Sequence, residues 1–300
     1  MNNYKTIKNF VIHLSLLLLF PVVVSAATVF TETSSQTFGV NNTFMAKVYL
    51  NTEGKTVNVV EGSVEVYGKD TQVLEVSLGG SSLSLWPNPP MIKKSDQSTT
   101  ITFTGGVPGG FSSSKGLLFT LAIQTISEGQ LKIESKNIVA YENDGKGTQI
   151  KVASEPIVVS VIENKLAPNN EWSELVATDK VPPENFVITF GQDASVYEGK
   201  KFISFETTDA LSGMDYFEVK EGENSPVKTG SPYVLQDQSG KSKIQVIAYD
   251  KAGNSKISTW NPPVTPKNNL ILILVSLVII ISAIIFVIKI FLKKTKIKNS

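Results

Sequence analysis

Between residues 27 and 269, apolar positions alternate with polar ones over short runs, and no stretch holds a helical apolar period for long. The runs at 44–50, 57–66, 73–78, 99–104, 117–126, 130–133 and 149–161 read as strands. Turn signals separate them: Glu53-Gly54, Gly68-Lys69-Asp70, Gly79-Gly80, the glycine-rich loop 105–110, Glu128-Gly129 and Asn143-Asp144-Gly145. After residue 162 the texture changes. Pro168-Asn169-Asn170 and Pro182-Pro183 bracket a segment with little alternation, so 163–185 reads as a linker with one short helical turn around 172–176. A second strand-rich block spans 186–260, and the proline-rich stretch 261–269 reads as a stiff, extended stalk. Many short strands at this spacing predict an all-β chain, with two β-sandwiches in series at 27–162 and 186–260.

The two ends break this pattern. Residues 1–10 carry Lys5 and Lys8 and no acid, 11–24 are apolar but broken by Pro21, and Val24-Ser25-Ala26 is small enough for a signal peptidase. The order predicts a secretory signal peptide over 1–26, cut before Ala27; Pro21 and the short apolar core argue against an uncleaved anchor. At the other end, 270–288 has only Ser276 and Ser282 as polar members, and it spans about 28 Å as a helix. A buried core helix would show a polar face, which this segment lacks. Lys289, Lys293, Lys294, Lys296 and Lys298 follow it. The expectation is a transmembrane helix over 270–292 with a basic cytoplasmic tail at 293–300, and with 27–269 on the outer side of a cell membrane.

Charge and composition then narrow the chemistry. All 28 basic residues are lysine, of which two precede residue 27 and five follow residue 270, so 21 face the 27 acids between the ends and leave a net −6 there. An acidic chain without arginine is a poor partner for nucleic acid. The single histidine is His13, inside the expected leader, and there is no cysteine. That removes Ser-His-Asp and Cys-His catalysis, His/Cys metal sites and disulfides. Paired carboxylates, a carboxylate-bound metal or pure binding remain.

Few residues stand out as candidate sites. Trp86, within Trp86-Pro87-Asn88-Pro89-Pro90, could stack on a sugar ring or anchor a partner; folded down, it would instead close the end of the core. Asp209, Asp215 and Asp250 could converge at one end of the second sandwich and hold Ca2+, while short Asp side chains beside glycine equally serve as Asx turns. Asn143-Asp144-Gly145-Lys146-Gly147-Thr148 lacks the alternating acids of a calcium loop and reads as a turn. The loop 105–110 is no phosphate cradle, because no helix or Lys-Ser/Thr follows. Glu61/Glu65 and Glu221/Glu223 are carboxylate pairs, read here as solvated strand positions rather than as glycosidase acids. No catalytic residue is assigned.

The order Phe38-Gly39-Val40, Lys47-Val48-Tyr49-Leu50-Asn51-Thr52, Val57-Asn58-Val59-Val60-Glu61-Gly62-Ser63-Val64, Ile101-Thr102-Phe103-Thr104-Gly105-Gly106, Gly116-Leu117-Leu118-Phe119-Thr120-Leu121 and the turn at 143–148 resembles a cohesin domain over most of 28–162. The resemblance implies a jelly-roll β-sandwich, without catalysis, that binds dockerin modules of polysaccharide-degrading enzymes on a flat sheet face. No contact residue can be carried over. Thr208-Asp209-Ala210-Leu211-Ser212-Gly213-Met214-Asp215-Tyr216-Phe217-Glu218-Val219, then Ser231-Pro232-Tyr233, then Val246-Ile247-Ala248-Tyr249-Asp250-Lys251-Ala252-Gly253-Asn254 resembles a bacterial immunoglobulin-like module, which implies a spacer or adhesive unit. Together these readings predict a membrane-anchored, non-catalytic surface protein that docks a dockerin-type partner or a glycan. The alternative is a structural stalk of the cell envelope with no ligand.

Overall fold

In the computed structural model the described residues are 27–68, 70–163, 167–263 and 270–298, the last segment with side chains for 274–289 only. The expected signal peptide, with His13, and residues 264–269 of the expected stalk lie outside them.

The first block folds into eleven strands: β1 (Ala27–Thr33), β2 (Thr37–Gly39), β3 (Thr43–Asn51), β4 (Val57–Tyr67), β5 (Thr71–Ser77), β6 (Leu85–Lys94), β7 (Ser98–Phe111), β8 (Gly116–Thr125), β9 (Gly129–Glu142), β10 (Gln149–Glu155) and β11 (Ile157–Ile162). They run in the order β5-β8-β3-β1-β10-β9-β4-β7-β6, with β11 on β9 and β2. The parallel β1–β10 pair and the antiparallel β10–β9 pair fold this path over, so that β5-β8-β3-β1 faces β9-β4-β7-β6 as a jelly-roll-type sandwich. Alternation fills the space between: Phe44, Ala46, Val48 and Leu50 of β3, Val60 and Val64 of β4, Ile101 and Phe103 of β7 and Leu121 and Ile123 of β8 share one buried core. Phe103 and Phe119 meet edge to face across it, ring centroids 5.0 Å apart.

Two elements differ from the sequence reading. Residues 85–94 form a strand despite Pro87, Pro89 and Pro90. β6 ends the path and pairs only with β7, with register shifts on both sides of Asn88, and an edge strand is where missing N–H donors are tolerated. Residues 105–110, expected as a flexible loop, are instead the second half of β7. Small residues are needed there: a Cβ on Gly105 would lie 2.7 Å from the Trp86 ring.

The second block is a smaller sandwich. One sheet is β12 (Thr189–Asp193), β13 (Val196–Ser204) and β16 (Tyr233–Val234); the other runs β15 (Val227–Thr229), β14 (Met214–Glu221), β17 (Ile244–Asp250), β18 (Ser255–Trp260). Its core is Ile203, Phe205, Val219, Leu235, Ile244 and Val246, closed by Phe190 stacked on Trp260 at 4.7 Å. β17 alternates cleanly between buried and half-buried positions, as expected of a sheet covered on one face.

The expected linker contains a helix, α1 (Glu171–Thr178), longer than the single turn foreseen. Asn170 caps it by accepting the Ser173 N–H at 2.9 Å, and Glu171 and Glu174 suit the positive end of its dipole. The last helix, α2 (Leu270–Lys298), exposes every described side chain from 274 to 289. Among the described residues no helix is long and apolar enough to cross a membrane. Those 16 side chains rise about 24 Å, against a hydrocarbon layer of about 30 Å.

Candidate functional site

The two outer faces of the first sandwich are treated differently. On β8 the outward residues Thr120 and Ala122 are buried like the inward ones, so the strand is covered on both sides. The cover is α1. Trp172 and Leu175 share a cleft with Met45, Lys47, Leu117 and Thr120. Glu171 holds the helix down, its carboxylate accepting the Met45 N–H at 2.8 Å and the Ser34 hydroxyl.

The opposite face, β9-β4-β7-β6, is open. Its register sets three rows across four strands: Val139, Glu61, Thr104, Asn88; then Lys136, Ser63, Thr102, Met91; then Glu134, Glu65, Thr100, Lys93. At about 4.8 Å per strand the grid is about 14 Å wide. Side-chain bonds across and along the strands hold its charged members in place. Tyr141 donates to Glu61 at 2.9 Å, Lys136 pairs with Glu65 at 3.1 Å, and Lys132 pairs with Glu134 at 2.9 Å. Tyr67 also donates to Glu65, which holds that carboxyl below its ordinary pKa, with Lys136 adding to the effect. Thr102 at the centre is exposed, and Met91 at the edge is 69% exposed. Glu61 and Glu65 are thus members of a paired surface rather than a converging acid couple.

A second concentration of polar groups lies where the sandwiches meet. The Gly79-Gly80 turn enters the second block: the Gly80 N–H donates to Asp209 O at 3.1 Å, and a Cβ on Gly79 would strike Leu211 O at 2.6 Å. Lys251 bridges to Glu75 at 2.7 Å and lies over the Trp172 ring. Asp179, just past α1, is buried against the same junction. There Asp179, Asp209 and Asp250 come together, one carboxylate oxygen of each within 4.8 Å of the others.

Each is oriented by backbone. Asp179 accepts from the N–H groups of Val181 (2.8 Å) and Ser212 (3.1 Å), Asp209 from Leu211 (3.0 Å) and Gly213 (2.7 Å), and Asp250 from Asn254 (2.7 Å). Burial pushes the Asp209 carboxyl above its ordinary pKa, and the charges of Asp179 and Asp250 add to that. Asp179 shifts the other way: burial would raise it, but hydrogen bonds from Ser212 and Val181 outweigh the burial.

Of the residues singled out from sequence, Asp209 and Asp250 are brought together and Asp215 is not. Asp215 is exposed on β14, where an irregular register beside Met214 turns it from the junction. Asp179 takes the third place. It escaped notice because its segment reads as a linker; the signal was Asn170 followed by apolar Trp172, Leu175 and Val176 at helical spacing, which marks a docked helix ending at Asp179. Trp86 is half-buried against the first core and lines a cavity of about 450 Å3 at the junction, together with Leu78, Phe205, Phe217 and Lys251. Asp144 is an Asx turn, accepting the Lys146 N–H at 2.8 Å.

No protein-family model matches the sequence, and no curated protein matches it. Solved structures do. A cohesin module from a family 33 glycoside hydrolase of Clostridium perfringens is 10% identical with a TM-score of 0.37, covering 47% of this chain and 100% of its own. A non-cellulosomal cohesin from the archaeon Archaeoglobus fulgidus is 15% identical with a TM-score of 0.35, covering 47% of this chain and 94% of its own. A chain from a type I cohesin–dockerin complex of Clostridium thermocellum is 16% identical with a TM-score of 0.33, covering 45% and 99%. With identities and scores this low, partner and chemistry are left to be argued from this chain's own residues.

Proposed function

We propose that the first sandwich is a protein-docking module, that its β9-β4-β7-β6 face is the contact surface, and that a dockerin-type module is the partner. The observation that carries the reading is the asymmetry of the two faces. The β5-β8-β3 face is occupied by the chain's own helix, while the opposite grid is open, flat and ordered by cross-strand pairs. Binding there would order few side chains, because most of its charged groups are already held. The ordered motifs at 38–40, 47–52, 57–64, 101–106 and 116–121 support the same reading.

In this proposal the second sandwich is an immunoglobulin-like spacer. A cleaved leader exports the chain, and the helix at 270–292 anchors it in a cell membrane. Support for the anchor comes from apolar side chains exposed all round between 274 and 288, with Ser282 satisfying its hydroxyl on Val278 O at 2.8 Å, and from the lysines beyond.

The test is titration of the full-length chain with a dockerin-type module. Thr102→Arg at the centre of the grid should weaken binding at least about tenfold, equivalent to about 1.4 kcal/mol. Unchanged affinity in that variant overturns the assignment of the face. Capture by glycans instead, lost in Trp86→Ala, would move recognition to the junction cavity. Silence towards both would favour the ligand-free stalk.

A further inference from the structure

We propose that Asp179, Asp209 and Asp250 together hold one divalent cation of the calcium class, and that this ion pins the connector to the second sandwich. The proposal is independent of what the open face binds.

The three carboxylates are nearly inaccessible to solvent, with relative exposures of 2%, 2% and 1%. Three buried negative charges need compensation, because an isolated buried carboxylate costs several kcal/mol. No ion pair supplies it: none of those among the described residues includes any of the three, and the charge of Lys180 is the weakest of the influences on Asp179. Hydrogen bonds reach both oxygens of Asp179 and of Asp250, the latter also from the Asn254 side-chain amide at 2.8 Å, but only one oxygen of Asp209. Asp209 Oδ2 is buried with no hydrogen-bond partner.

A second residue points the same way. Ser212 is wholly buried; its N–H donates to Asp179 Oδ2 at 3.1 Å, and its hydroxyl has no hydrogen-bond partner. Two buried oxygens without partners, one on a member of the cluster and one on the residue whose N–H caps another member, are what ligands look like without their ion.

The donor set selects the ion. All the groups are hard oxygens, and the chain has no cysteine and no histidine beyond residue 13, so zinc and copper chemistry is not served. Calcium–oxygen distances of about 2.3–2.6 Å place two ligands of one ion at most about 5 Å apart, which the cluster's 4.8 Å span satisfies. Mg2+ prefers to keep several waters, for which a site this buried has little room. The ligands come from three places in the chain: Asp179 ends α1, Asp209 precedes β14 and Asp250 ends β17. An ion there ties the helix that covers the first sandwich to the body of the second.

The test uses the full-length chain in detergent, stripped with EDTA. Calorimetric titration with Ca2+ should find one ion per chain. Saturating Ca2+ should raise the melting temperature of the second sandwich by roughly 10 °C. Tb3+ should give sensitised luminescence that Ca2+ displaces, and Ca2+ should slow amide exchange at 171–181. Asp209→Asn and Asp250→Asn should each abolish the Ca2+ response, and either variant suffices if the other does not fold. The proposal is overturned if the stripped wild-type chain shows no heat, shift or luminescence, if it responds to Mg2+ but not Ca2+, if the response survives both substitutions, or if exchange at 171–181 does not change.

Discussion

Glu221 is only 5% exposed, yet both its oxygens are used: Oε1 accepts the Tyr233 hydroxyl at 3.0 Å and the Gln236 N–H at 2.8 Å, and Oε2 accepts the Asp237 N–H at 2.8 Å. One carboxylate at the end of β14 thus fixes the segment that follows β16. Burial and the bond to Glu221 push the Tyr233 phenol up to about 12, from about 10 in an unfolded chain. The folded state therefore holds that proton more tightly. The stabilisation is complete below pH of about 10 and is lost as pH rises towards 12. Tyr233→Phe should cost about 1.5 kcal/mol at neutral pH and flatten the alkaline part of the stability curve, read by denaturant unfolding from neutral to strongly alkaline pH. A variant curve parallel to the wild type would refute the assignment. At this scale legibility was partial. Asp209 and Asp250 announced themselves beside Ser212-Gly213 and Ala252-Gly253-Asn254, whereas Asp215 carries the same local signal and points elsewhere. A turn signal shows that a side chain caps backbone; which caps converge is decided by packing between segments far apart in sequence.

At the scale of elements, the alternating strands were plain in the sequence because inward positions are apolar and outward ones polar. The strand-like run at 117–126 also carried a further clue. Its near-continuous apolarity is explained by cover on both faces, core on one and α1 on the other. β6 was hidden because three prolines argue against a strand, and that argument fails only at an edge. The second half of β7 was hidden because glycine signals a turn, whereas Gly105 is needed for the Trp86 ring to pack on it. α1 was half-visible. Its eight residues are too few to be stable alone, so its cap and its docking decide whether it forms. Asn170→Ala should cost about 1 kcal/mol and speed amide exchange across α1, while exchange in the second core stays unchanged. Unaltered exchange in α1 would mean that the cap is dispensable.

For the whole molecule, the connector carries the organisation. It lays a helix on one face of the first sandwich and delivers Asp179 to the second, so the two blocks are joined by buried contacts rather than by a loose tether. The sequence reading treated the segment between the two blocks as spacer, because composition cannot distinguish a polar linker from one that is docked. Covering one face leaves the other as the free surface, and the central claim rests on that division. Because the chain has no cysteine, it can be tested cleanly with single cysteines in the full-length protein, Thr102→Cys in the open grid and Lys200→Cys on the second sandwich. Alkylation of each is timed with and without a saturating dockerin-type partner. The account predicts that the partner slows reaction at Thr102→Cys and leaves Lys200→Cys unchanged; protection at Lys200→Cys with none at Thr102→Cys would contradict it.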